Sequence, residues 1–140
     1  MRWPGIEPDT VTVDNWRSTA PDPAKRVAII RSYRTLFEHL AGRDDGPWLI
    51  LQDDIKLTRH PYRDVSAPIH LLGGHLTRHW PMIPPDSPHV HPYAFLATAE
   101  AIPGMLDVLG DEHDQLCVTW TRYLAPDTCT WDDPPTATAT

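Results

Sequence analysis

Sixteen of the 140 residues are proline, and their placement constrains the fold more than any other feature of the chain. The frequency is about twice the average. Proline lacks a backbone N–H and fixes φ, so the interior of a helix or of a central strand is closed to it. The prolines gather at residues 4–8, 21–23, 81–92 and 126–135, which marks loops and irregular ends rather than a disordered chain. Regular elements must fit between these clusters. The length suits one domain, able to bury a core without a metal or disulfide staple.

The first such element is the alternating "TVTVDNW", which predicts a short strand at Val11–Val13. Asp22 suits a helix cap, Pro23 the first helical position and Gly42 the stop. Between them Val27, Ile30, Tyr33, Phe37 and Leu40 form one apolar stripe, with Arg31, Arg34 and Glu38 largely off it. After a turn at 43–46, the run Pro47 to Leu51 reads as a strand buried on both faces, completing a βαβ unit. "PIHLL" (68–72) and "YAFLA" (93–97) predict further strands, separated by a long loop from His75 to Pro92 that five prolines break. Thr98 is expected to cap a helix ending near Leu109, its start pushed a residue or two later by Pro103. Gln115 to Leu124 reads as helix in preference to strand. The fold class expected is α/β: a single compact domain with a mixed, mostly parallel sheet flanked by helices.

The apolar run of 47–51 leads straight into Gln52-Asp53-Asp54. In open α/β sheets ligands collect beyond the carboxyl ends of the strands. Two neighbouring carboxylates there repel each other, and a divalent cation resolves the conflict. Hard oxygen ligands suit Mg²⁺ or Mn²⁺, which bridge one or two carboxylates to the oxygens of a phosphorylated ligand. A solvated polar turn is the competing account of the same dipeptide. Arg31 or Arg34 could brace a diphosphate bidentately, or belong to a solvated helix face.

An apolar strand ending in "QDD" after an Arg-bearing helix resembles glycosyltransferases of the GT-A type. The nearest patterns are the lipopolysaccharide and collagen galactosyltransferase family and small phage-encoded glycosyltransferases. "IHLLGG" (69–74), "HVHPYAFLATAEAIPGMLDVL" (89–109) and "GDEHDQL" (110–116) follow in the same order as the blocks of that pattern. The resemblance spans roughly residues 10 to 125 and implies a GT-A-like domain over residues 1–133, shortened at its N-terminus, with "PPTATAT" (134–140) a disordered tail. It implies transfer of a sugar from a nucleotide-sugar donor such as UDP-glucose to a hydroxyl acceptor, with Mn²⁺ or Mg²⁺ held by Asp53 and Asp54. Asp114, then Asp111, would take the acceptor's proton; Arg31, Arg34, Gln52 and His91 would contact the donor. Gln52 stands where the family usually carries Glu, and the strand and helix that grip the nucleotide base are not evident. Small phage relatives make hydroxymethylated DNA bases one candidate acceptor, beside a glycan or a small molecule.

The formal net charge of −7 argues against non-specific binding to nucleic-acid phosphates. Two other classes fit some residues. His70, His75, His79, His89 and His91 fall within 22 positions; two imidazoles with a carboxylate would serve a metal-dependent hydrolase or oxygenase. Six tryptophans, several in Pro-rich stretches, suit a non-catalytic nucleotide- or sugar-binding pseudoenzyme. Cys117 is expected to be buried and Cys129 exposed. The opening residues lack an apolar leader and no stretch is long enough to span a bilayer, so a cytoplasmic protein without membrane partners is expected, in the host cytoplasm if phage-encoded. Homo-oligomerisation is left open.

Overall fold

The computed structural model describes residues 2–53, 55–74, 92–124 and 127–139. Its longest element is helix α1, Pro23–Leu40, which buries Val27, Ile30, Phe37 and Leu40 of the expected stripe together with Ala28, while Tyr33 is half-buried. Proline fills its first turn, and Gly42, at φ +81°, turns the chain out of the helix as only a residue without Cβ does freely. Asp22 does not cap it. It sits in the left-handed region, at φ 57°, and its side chain makes no cap hydrogen bond.

The main sheet contains β1 (Trp48–Leu51), β3 (Ile69–Gly74), β4 (Pro92–Ala97) and β5 (Cys129–Trp131), in the order β1-β4-β3-β5. β4 runs antiparallel to both β1 and β3, while β3 and β5 are parallel. The sheet is thus mixed, as expected, but by pairing mostly antiparallel rather than mostly parallel. An apolar run carries no information on direction, and in β1 it does not mean burial on both faces either, since Ile50 alone of its four residues is buried. β1, β3 and β5 share one direction, with β4 reversed between the first two, so their carboxyl ends lie at a common edge of the sheet. β4 and β3 are the inner strands, with Ala94 to Ala97 of β4 at most 1% exposed; β1 is an edge, with Leu51 43% exposed. The expected strand at Val11–Val13 does not form, so no βαβ unit precedes β1.

One face of the sheet packs on helices. α2 (Ile102–Leu109) and α3 (Leu116–Thr121) join α1 over Ile69, Leu71, Phe95 and Ala97. Phe95 is the centre: Phe37 stacks on it at 6.5 Å and Trp120 meets it at 5.1 Å. Each fully buried side chain of this size contributes roughly 1.5–3 kcal/mol through burial. Pro103 falls in the first turn of α2, as its missing N–H requires. Thr98 does not cap by its side chain; its hydroxyl instead donates to the carbonyl of Pro68, 3.0 Å away, tying the end of β4 to the start of β3.

The other face is covered by a two-stranded ribbon of β2 (Ile55–Leu57) and β6 (Ala137–Ala139). Ala137 packs there with Leu72, Ala94 and Leu96. A strand therefore stands where a disordered tail is expected. The ribbon approaches so closely that a Cβ on Gly73 would collide with the Ala137 carbonyl. Cys117 is buried, as expected; Cys129, expected at the surface, is also buried, on β5. Among the described residues no helix is long and apolar enough to cross a membrane.

Candidate functional site

A cleft of about 990 Å³ lies along the edge strand β1. Trp48 to Leu51 form one side of it, and the polar end is made by Gln52 and Asp53, just beyond the strand's carboxyl end. The opposite wall comes from the N-terminal arm, Arg2 to Gly5, and from Leu36 and Leu40 of α1. Apolar walls with a few convergent polar groups are the usual makeup of a small-molecule site.

Asp53 stands where the sequence places it, but not in the buried setting the argument for a cation assumes. Its side chain is 78% exposed, and its neighbour is the equally open Arg2 guanidinium at 3.3 Å. A pair so exposed is worth little, since water and salt screen it. The carboxylate is therefore accessible rather than desolvated. Gln52, beside it at the same end of the cleft, donates its amide nitrogen to the Tyr33 hydroxyl at 3.1 Å. Burial pushes the Tyr33 phenol above its ordinary pKa, with the Gln52 bond acting in the opposite direction. Asp54 and His91 lie outside the described residues.

The other expected site residues gather elsewhere. Arg31 grips Glu112 with two hydrogen bonds, Nε to Oε2 at 2.6 Å and Nη2 to Oε1 at 3.0 Å. Arg34 adds a third contact to Glu112 at 3.4 Å and donates to the Leu109 carbonyl at 3.1 Å. The hydrogen bond from Arg31, helped by both arginine charges, holds the Glu112 carboxyl below its usual range despite partial burial. Asp111 accepts from Arg122 at 2.8 Å and from the His113 backbone at 3.0 Å. Burial would raise its pKa, but these partners outweigh it and leave the carboxyl lowered, hence a weak base. Asp114 accepts from the Gln115 backbone at 2.7 Å. None of Arg31, Arg34, Asp111 and Asp114 lines the cleft of Asp53. The expected constellation is thus divided: Gln52 and Asp53 at β1, the arginines and the acidic run around the end of α2.

Of the histidine cluster, His70 is described, and the remainder lies outside the described residues. His70 sits opposite Thr130 in the β3–β5 ladder. Its Nε2 meets Asp132 at 2.8 Å and its Nδ1 meets Thr130 Oγ1 at 2.7 Å. Thr136 and Arg63 both donate to Asp132, at 2.5 and 2.6 Å. Among the described residues no group of three or more His, Cys, Asp or Glu side chains is placed to hold a metal ion.

Sequence reasoning did not find Arg2 and Trp3 as cleft residues. Composition singled out the tryptophans as a set, but no spacing relates residue 3 to residue 53. No protein-family model, curated protein or solved structure matches the chain.

Proposed function

We propose that the cleft beside β1 binds a nucleotide sugar together with Mg²⁺ or Mn²⁺, and that the chain is a GT-A-type glycosyltransferase moving that sugar to a hydroxyl acceptor. One observation carries this reading: Asp53, at the end of an apolar strand, opens, solvated and accessible, onto a cleft of about 990 Å³. Hard cations of this kind take one or two carboxylates and complete their shell with water and phosphate oxygens. A single open carboxylate at Asp53, with Asp54 next in sequence, fits that demand better than a closed protein cage. When bound, the cation neutralises charge on a departing diphosphate. The chain's own part is to hold Asp53 at the cleft mouth, to fix Gln52 on Tyr33, and to offer the apolar surface of Leu49 to Leu51 to the ligand.

Titration calorimetry with UDP-glucose, with and without Mn²⁺, tests the reading. Binding that requires the metal and is lost in Asp53→Asn is expected. Binding that ignores both the metal and the substitution would sink it.

A second reading is favoured by the positions of Asp111 and Asp114. The acids expected to act as base are held by Arg122 and by backbone N–H groups away from the cleft, which suits a nucleotide- or sugar-binding protein without transfer activity. Hydrolysis or transfer measured with radiolabelled donor separates the two, since a pure binder gives no turnover.

A further inference from the structure

The N-terminal arm is an extended segment that runs over α1 and is pinned there before any ligand arrives. Its anchors are two hydroxyls one turn apart. The Trp3 indole N–H donates to Thr35 Oγ1 at 3.2 Å, and the Ile6 backbone N–H donates to Ser32 Oγ at 2.9 Å. Both hydroxyls are in turn oriented by helix carbonyls, Ser32 donating to Ala28 at 2.7 Å and Thr35 to Ser32 at 3.0 Å. The Trp3 ring rests against His39, with centroids 4.9 Å apart and planes inclined by 38°.

Trp3 is not a core residue. Trp120 is 1% exposed, whereas the Trp3 ring is half-buried and borders both the large cleft and an adjoining hollow of about 130 Å³. With its N–H committed to Thr35, the indole has only its π-face to offer a ligand. A ring already immobilised loses little freedom when something stacks on it. Arg2, one residue before, stands at the same mouth as Asp53.

We propose that Trp3 is the platform on which a ring of the cleft's ligand, base or sugar, stacks, so that the N-terminal arm forms one wall of the binding site. This rests on the nucleotide-sugar reading of that cleft and names the residue that sets its preference for a ring-bearing ligand.

Calorimetry with UDP and with UDP-glucose, each with Mn²⁺, on the full chain and on Trp3→Phe and Trp3→Leu provides the test. Loss of a stacking face weakens binding by about 10-fold in Trp3→Leu, while Trp3→Phe stays within about threefold of the parent. A loss seen with UDP alone assigns the base as the stacked ring; a loss seen only with UDP-glucose assigns the sugar. Thermal melts accompany each variant, and Trp3→Phe, which keeps a ring at the arm, reads the stacking even if Trp3→Leu melts early. Equal affinity in all three proteins overturns the role of Trp3 while leaving metal-dependent binding at Asp53 standing. No binding to the parent chain overturns both.

Discussion

His70 and Asp132 meet at 2.8 Å across the parallel β3–β5 edge, and each is only 8% exposed. The carboxylate fixes the proton on His70 Nε2 and leaves Nδ1 facing the Thr130 hydroxyl. Arg63 and Thr136 satisfy the second carboxylate oxygen. The Asp132 backbone N–H donates to Leu71 at 3.0 Å and the Thr136 N–H to Leu72 at 2.8 Å. The knot therefore bolts the C-terminal segment to β3, directly beside the ribbon that carries β6.

Replacing Asp132 by Asn should leave Arg63 and His70 facing a neutral group in a nearly dry place. The expected cost is about 3 kcal/mol, or a fall in Tm of about 10 °C. Burial raises the Asp132 pKa, but hydrogen bonds from Thr136 and His70 and the charges around it prevail, so the folded value lies below the ordinary 3.8. A depressed carboxyl contributes stability above its unfolded pKa and loses it as pH falls through the folded value. Urea melts should thus show the parent losing this advantage below about pH 4, with the Asp132→Asn variant flatter over that range. Parallel profiles would refute the assignment.

Gly73 has no room for a side chain, because the Ala137 carbonyl occupies the position of its Cβ. Gly73→Ala should displace β6 and cost about 1–3 kcal/mol, as overpacking of a tight contact does. Hydrogen exchange should localise the change to the β2–β6 ladder, Ile55 to Leu57 against Ala137 to Ala139. Unchanged protection there would mean that the ribbon does not depend on this approach.

These two positions show what was legible in the chain and what was not. The stripe from Val27 to Leu40 repeats every three to four residues within one helix, so local sequence contains all that is needed to read α1. Leu71 and Phe95 announce their strands by apolar runs, yet nothing in such a run tells that β4 is reversed between its neighbours. "TVTV" has the alternation of a strand but no strand partner among the described residues, and the segment after it is tied to the loop beyond α2 instead: Arg17 N–H donates to the His113 carbonyl at 2.9 Å. "PPTATAT" reads as disordered because it is a short terminal stretch with no large apolar side chain. It forms a strand because Gly73, some sixty residues earlier, leaves space for Ala137. Thr130 on β5 and Asp132 just past its end carry the signal for the His70 knot, but the three-residue strand is too short to announce itself. At the site, Asp53 could be placed from the strand before it; the wall opposite could not, since Trp3 reaches it only through α1.

The two thiols provide a test of the core on the α-helical face. Cys129 is 1% exposed, and burial pushes its thiol up to about 12; burial likewise raises Cys117. The thiolate is the reactive form. Neither cysteine should react with a chromogenic disulfide reagent at pH 8 in the native protein, and both should react at once in denaturant. Prompt labelling of one equivalent under native conditions would place a thiol outside this core.

Glu112 separates stability from ligand binding. Its carboxylate joins Arg31 and Arg34, with side-chain exposures of 24%, 30% and 28%. Glu112→Gln keeps the shape, removes the charge and leaves two arginines that can partly hydrate, so a loss of about 1 kcal/mol is expected. The Glu112 pKa is lowered by the Arg31 bond, so this increment too is present above the unfolded value near 4.5 and disappears on acidification. Neither arginine lines the cleft beside β1. Affinity for UDP-glucose with Mn²⁺ should therefore stay within about twofold of the parent, an energy change under about 0.5 kcal/mol. A tenfold weakening in Glu112→Gln, with the fold intact by circular dichroism, would instead return Arg31 and Arg34 to the role of diphosphate clamps and refute their separation from the cleft beside β1.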